Sequence, residues 1–224
     1  MVSIIIPTYN EEKIIEKTLN GFIGAHPDDI ELILADGGST DRTGELAGRY
    51  PVKIVYTEKN RARQMNTAAQ HARGDILLFL HADTKTSFQS LAAIERVAKK
   101  VVGGCLTQRI DSKRIAYRLI ERSGNIRAKM TNIFYGDQAI FVKKDIFLKI
   151  GGFDEIELFE DVFFSKKLKK QGAVAVLPEK VYVSPRRWET QGIVKTTIIY
   201  WLLTFGCIFH LFRPTLKKIY HDIR

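Results

Sequence analysis

Four short runs rich in β-branched residues and leucine constrain this 224-residue chain more than any other feature. They are Ser3–Ile6, Ile30–Ala35, Val52–Tyr56 and Ile76–Leu80, and the last is apolar at every position. Runs of that length and kind suit strands buried on both faces of a sheet. Between them lie stretches with helical spacing: Ile14, Ile15, Leu19, Phe22 and Ile23 after a start at Asn10, then Thr43–Arg49, then Asn60–Ala72 closed by Gly74. Strands alternating with helices predict an α/β fold with a mostly parallel sheet flanked by helices. Right-handed crossovers would put all four strand carboxyl ends on one edge. The polar segments Pro7–Glu11, Asp36–Asp41, Asn60–Arg63 and His81–Asp83 therefore converge on one cleft, where open α/β sheets take their ligands.

The pattern loosens after a helix at Phe88–Lys100. Val101–Ile110 reads as a strand whose Gly103 and Gly104 mark a bulge or a close backbone approach. Ser112–Met130 reads as a basic helix, Ala139–Val142 as a strand, and Glu160 opens a helix to about Gln171. Short strands are expected at Ala173–Val176 and Val181–Val183, and turns at Pro27–Asp29 and Gly151–Asp154. Ile193–Phe212 is the most apolar helix, with His210 inside it as a core histidine. Its run Ile198–Phe212 is about 15 residues against the roughly 20 that span a bilayer. It either packs on the body or lies along a membrane surface, with Lys217 and Lys218 behind it. No repeat, low-complexity tract or long linker intervenes, so one domain over 1–224 is expected, with segments at 1–112, 113–192 and 193–224.

Charge divides the chain unequally. The net charge is +10, and residues 113–224 carry all of the excess. A basic half attracts an anionic partner (phosphorylated substrate, membrane surface or nucleic acid) or only solvates the protein. No nucleic-acid motif accompanies it, so no nucleic-acid partner is expected. Cys105 and Cys207 are too few for a disulfide framework, and Met1-Val2-Ser3 enters a strand without a signal-peptide pattern. Both point to the cytoplasm.

The converging loops carry what a nucleotide sugar demands. Its base needs an aromatic face or a carboxylate for its edge, for which Tyr9 and Asp36 are candidates; the alternatives are a packing tyrosine and a cap. Its diphosphate needs positive charge, from Arg61, Arg63 or a cation held by Asp83, unless Asp83 caps the helix near Ser87. An incoming hydroxyl needs a base, and Glu160-Asp161 put carboxylates at a helix start, where they could equally be an N-cap and a solvated neighbour.

Ser3–Glu12 and Asp36–Asp41 closely resemble the nucleotide-binding start of family 2 glycosyltransferases. The resemblance continues through Ala72-Arg73-Gly74-Asp75, the strand to Asp83, Gly151-Gly152-Phe153 and Glu160-Asp161, covering about residues 3–188 in collinear order. It implies the GT-A fold, a nucleotide-binding sheet merged with an acceptor-binding region. It further implies inverting transfer of a sugar from a nucleotide-sugar donor, a UDP-sugar first, to a hydroxyl acceptor, with Mg or Mn. By position, Tyr9 and Asp36 match residues that contact the base, with Pro7 and Glu11 beside them. Arg63 and Arg61 match the basic position near the diphosphate, Asp83 the final acid of the Asp-x-Asp metal motif, and Asp161 the general base with Glu160 as its neighbour. Gly136, Asp137 and Gln138 are expected to line the acceptor pocket or close a turn.

Arg187-Trp188 resembles the Arg-Trp end of the Gln-x-x-Arg-Trp motif of processive members, with Ser184 where the glutamine would stand, so processivity is unsupported. Both are candidate acceptor contacts; Trp188 is equally a core residue, and Arg186 and Arg187 equally surface ion pairs. The main departure is His81, where an Asp usually stands. Imidazole can touch the ribose or the metal, but hard cations prefer a carboxylate. The His-Ala-Asp, Gly-Asp-Gln and Arg-Arg-Trp segments are similar to a small bacterial subfamily sometimes labelled arsenosugar-biosynthesis glycosyltransferases. One alternative keeps the chemistry but uses a polyprenyl-phosphate acceptor at the membrane surface, through the basic half and Ile193–Phe212. Nucleotidyl transfer would want a basic, glycine-rich loop after the first strand, and Pro7–Glu12 is acidic with no glycine.

Overall fold

Each apolar run becomes a strand. The computed structural model describes residues 1–23, 30–156 and 158–208, without the side chains of 187, 200 and 203–208. Strands β1 (Val2–Thr8), β2 (Ile30–Asp36), β3 (Lys53–Tyr56) and β4 (Ile76–Phe79) pair in parallel in the order β3-β2-β1-β4. Helices α1 (Ile15–Asn20), α2 (Thr43–Ala47) and α3 (Arg61–His71) connect them. Past β4 the sheet continues through β7 (Ile140–Lys143), β6 (Gly103–Ile110), β8 (Val174–Val183) and β5 (Thr84–Lys85). Of these contacts only β6 with β8 is parallel. One sheet thus runs through both halves of the chain.

Strand alternation sorts the core into two layers. Ile4, Ile6, Leu34 and Leu78 face α1 and α4 (Phe88–Ala98). Ile5, Ile33, Leu77 and Phe79 face α3, α6 (Lys144–Lys149) and α7 (Glu160–Leu168). Burial on both sides is why these strands read as apolar runs rather than alternating ones. On the second face Phe79, Phe147, Phe153 and Phe164 pack ring against ring, with centroids 4.4–5.6 Å apart.

The structure departs from the local pattern where a distant partner decides. β1 runs through Pro7 to Thr8. The Ile5 carbonyl accepts from Leu80, so odd-numbered β1 residues face β4, which has ended by the level of Pro7. The missing proline N–H therefore forfeits no ladder bond there. The first helix begins at Ile15 rather than Asn10, whose side chain is engaged elsewhere. The two strands expected at 173–183 form a single β8, and its register with β6 jumps from Leu177 to Lys180, which accommodates Pro178. Also unanticipated are β5, α6 and α8 (Arg186–Gln191), while Gly136–Gln138, for which a turn is one reading, forms a 3-10 turn. The basic helix is α5 (Ile115–Thr131), and α9 is described over Ile193–Ile208. Among the described residues no helix is long and apolar enough to cross a membrane. The turn expected at Pro27–Asp29, the end of the apolar helix at Phe209–Phe212, His210 and the Arg187 side chain lie outside the described residues.

Gly103 and Gly104 mark a close approach. A Cβ on Gly104 would lie 2.0 Å from the Ala175 carbonyl oxygen, and one on Gly103 2.6 Å from that of Phe141. The obstructing atoms are backbone and cannot rotate away. Gly104→Ala is expected to destabilise the protein by at least about 1–3 kcal/mol. Gly48→Ala, whose Cβ would meet nothing nearer than 3.5 Å, stays within about 0.5 kcal/mol of wild type. Denaturant midpoints of the two variants check the difference.

Candidate active site

Parallel pairing brings the ends of β1, β2 and β4 to one edge, and side chains then lock the loops together. Asn10 adopts the left-handed region (φ 55°), which asparagine tolerates better than most residues. Its N–H donates to Ser39 Oγ (2.9 Å), and its Oδ1 accepts from the Thr40 N–H (2.9 Å). The Glu11 N–H donates to Thr43 Oγ1 (2.8 Å), and Asp36 Oδ1 accepts from the Ser39 N–H (2.8 Å). Beneath them Gln64, buried on α3, donates from Nε2 to the carbonyls of Thr8 and Ala35 at 2.7 Å each, tying β1 to β2. Asp36 is only 1% exposed, while Tyr9 is half-buried under Lys59, whose Nζ lies 3.8 Å from the ring centroid.

Two carboxylates share a guanidinium at this edge. Arg186 Nη1 lies 3.9 Å from Glu11 Oε2, and its Nη2 3.9 Å from Asp83 Oδ2. Burial pushes the Glu11 carboxyl above its ordinary range; Arg186 opposes this, and Asp83 and Asp41 add to it. Among the described residues no three His, Cys, Asp or Glu side chains gather as a metal site. Two partly exposed carboxylates nevertheless suit Mg or Mn, which are commonly held by one or two such groups and complete their shell with substrate phosphates and water. Asp83 and Glu11 fit that role. His81 turns toward Gly136: a Cβ there would lie 2.7 Å from His81 Nε2 and 3.6 Å from Asp161 Oδ2.

That contact links the end of β4 to the second acidic pair. Asp161 Oδ2 accepts from the Gly136 N–H (2.7 Å), and its Oδ1 from the Val162 N–H (2.8 Å). Burial first, and the adjacent Glu160 charge second, push the Asp161 carboxyl up to about 6 against the pull of Arg61 and the backbone donors. Glu160 is 2% exposed; its Oε1 accepts from Arg61 Nε, and its Oε2 has no hydrogen-bond partner among the described residues. Immediately before the pair, Phe159 holds a left-handed backbone (φ 65°), a conformation that bulky residues rarely adopt and that sets the start of α7.

The turn 136–138 is braced from behind. Asp137 Oδ2 accepts from Gln108 Nε2 (2.6 Å), and the buried Gln138 accepts through Oε1 from Arg127 Nη2 (3.2 Å). The Arg127 guanidinium stacks 3.5 Å from the Tyr135 ring centroid. Other candidates sit apart from this cluster. Arg63 pairs on the surface with Glu58 and Glu155, and Trp188 is buried edge-on against Tyr117. Gln64, Lys59, Gln108 and Arg127 escaped the sequence reading. Only Gln64 left a signal, as a polar residue within the stripe Ala62, Met65, Ala68 and Ala69.

Glu160→Gln should lower the titration midpoint of the Asp161 carboxyl below about 6, because it removes a neighbouring negative charge and frees Arg61 to act on Asp161 alone. Carbon-13 NMR of the labelled aspartate reads this directly, and an unmoved midpoint refutes the coupling.

Comparison with known proteins accords with this geometry. Residues 3–153, more than half of the chain, match the model of Glycosyl transferase family 2. The chain is 26% identical over 188 residues to the probable glycosyltransferase YdaM of Bacillus subtilis, covering 71% of this chain and 44% of that protein. It is 30% identical over 171 residues to a PGL/p-HBAD biosynthesis glycosyltransferase of Mycobacterium bovis, covering 69% and 63%. It thus spans less than two thirds of either relative's length. Among solved structures, S. aureus TarS with UDP-GlcNAc superposes with a TM-score of 0.66 at 19% identity, over 82% of this chain and 58% of that one. The mannosyltransferase PcManGT of Pyrobaculum calidifontis, with GDP-Man and Mn2+, gives 0.65 at 23% identity, over 81% and 56%. The fold is the GT-A fold of those enzymes, and the chain belongs to glycosyl transferase family 2.

Proposed function

We propose that the chain transfers a sugar from a nucleoside-diphosphate donor, a UDP-sugar first, to a hydroxyl acceptor with inversion at the anomeric carbon. The observation that carries this reading is Asp161, a carboxylate tuned to about 6 and joined through Gly136 to His81 at the end of β4. Such a group is ionised at neutral pH yet more basic than an ordinary carboxylate, as a general base should be. It takes the acceptor hydroxyl proton while that oxygen attacks the anomeric carbon opposite the diphosphate. The carbon–oxygen bond to the diphosphate breaks, and its electron pair leaves with the nucleotide. Tyr9 offers a face for the base, and Asp36 holds the loop that surrounds it. Asp83, with Glu11, would hold Mg or Mn, and such an ion supplies positive charge to the departing diphosphate. Gly136, Asp137 and Gln138 stand on the acceptor side, beside Asp161. TarS with UDP-GlcNAc and PcManGT with GDP-Man and Mn2+ support the donor class.

A second reading, a polyprenyl-phosphate acceptor at the inner membrane surface of the cytoplasm, draws on α9. Its Val194, Ile198, Trp201 and Leu202 are 53–71% exposed, an interfacial pattern in a helix whose described part, Ile193–Ile208, does not reach the length of a span.

Calorimetric titration with UDP, GDP and dTDP, with and without Mn2+, is expected to show binding of at least one nucleotide, strengthened by the metal. No binding at millimolar concentration overturns the function. Asp161→Asn should keep nucleotide binding and lose about 10²–10⁴-fold in transfer. In wild type, kcat/KM should fall as pH drops through about 6, where Asp161 takes up its proton. Wild-type turnover by Asp161→Asn excludes it as the base.

A further inference from the structure

Helix α5 packs one side against the acceptor turn and leaves the other bare. Ile115, Leu119, Ile126 and Met130 are 81%, 70%, 45% and 80% exposed. At 3.6 residues per turn their positions fall within roughly 60° of one another, so they form a single stripe along the helix. Arg122 lies in the stripe and Lys129 at its margin, both exposed, and Lys113 and Arg114 precede it, exposed as well. The only acid between 112 and 131 is Glu121, which is turned inward, 5% exposed, and paired with Arg109 and Arg118. The outer face of α5 therefore presents apolar side chains and cations with no exposed anion.

We propose that this face of α5 docks on an anionic lipid surface, with Ile115, Leu119, Ile126 and Met130 entering the headgroup boundary and Arg122 and Lys129 meeting lipid phosphates. The combination of an apolar stripe with flanking cations is what an interfacial helix requires. A continuous layer of lipid phosphates matches these cations along the whole stripe. Ile193 at the start of α9 and Ile120 of α5 pack on one cluster, Ile110, Tyr117 and Trp188, so the two helices meet there. Trp201, 62% exposed on α9, is of the residue type that favours the headgroup level.

The inference deepens the membrane-acceptor reading, because α5 is also the wall behind the acceptor turn. From its inner side Asn125 exchanges hydrogen bonds with the Gln108 backbone at 2.9 Å each. Arg127 donates to the Ile133 carbonyl at 3.0 Å and to Gln138. Docking this helix would bring the Gly136–Gln138 turn, bonded to its inner side, to about one helix diameter from the lipid headgroups.

Flotation of the full chain with vesicles of phosphatidylcholine and phosphatidylglycerol (3:1), against phosphatidylcholine alone, tests this. Wild type should float with the anionic vesicles and weaken as salt rises. Leu119→Ser with Met130→Ser should lower partition tenfold or more. Arg122→Gln with Lys129→Gln should lower it about twenty-five-fold, about fivefold per cation. All four residues are exposed, so the variants should melt as wild type. Failure of wild type to float, or variants that float equally well, overturns the proposal. So does a wild-type dimer that both variants convert to monomer without any flotation, since the face would then serve a second copy of the chain. UDP calorimetry on the same samples keeps the readings apart, because loss of UDP binding in wild type would count against glycosyl transfer and not against docking.

Discussion

Parallel pairing of β1 between β2 and β4 is the constraint on which the rest depends. It requires apolar side chains on both faces, which the alternating Ile4/Ile6 and Ile5 sets provide to two separate helix layers. It also gives every one of these strands the same direction, so the segments beginning at Tyr9, Gly37 and Leu80 leave the sheet together. Gln64 then adds two hydrogen bonds across the ends of β1 and β2 that an apolar residue could not supply.

The edge so built concentrates negative charge. Glu11 faces Asp83 and Glu160 adjoins Asp161, and each pair is shared by one arginine, Arg186 or Arg61. Holding like charges close in partly desolvated surroundings raises the pKa of one member of each pair. In the proposed function, Glu11 and Asp83 would seat a cation and Asp161 would act as the base. His81 and Gly136 lie between the two pairs.

Much of this was legible in residue order. The four runs gave the parallel sheet and the edge where its loops gather, because a strand buried on two faces must be apolar throughout. The Gly103-Gly104 approach was legible for a similar reason: only glycine allows backbones so near. What could not be read was the antiparallel β7 lying between β4 and β6, the short β5, or β8 as one strand across Pro178, since each depends on a partner far along the chain. Asn10 misled the reading of α1 because an asparagine with acids behind it serves equally as a cap or as a left-handed hinge, and the partner Thr40 lies 30 residues away.

By itself, then, the sequence determined the alternation of strand and helix, the acids that end the strands, the family and the basic excess of the second half. Tertiary structure alone decided what each charge does. Arg61 and Arg63 are two residues apart on one helix, yet one meets the buried Glu160 and the other surface acids. Trp188 became a wall of the core, and Asp161 rose to about 6. The physical reason is that periodicity is a local property, whereas desolvation and Coulomb interaction depend on distance and burial. Those are set by segments as remote as the 99 positions that separate Arg61 from Glu160.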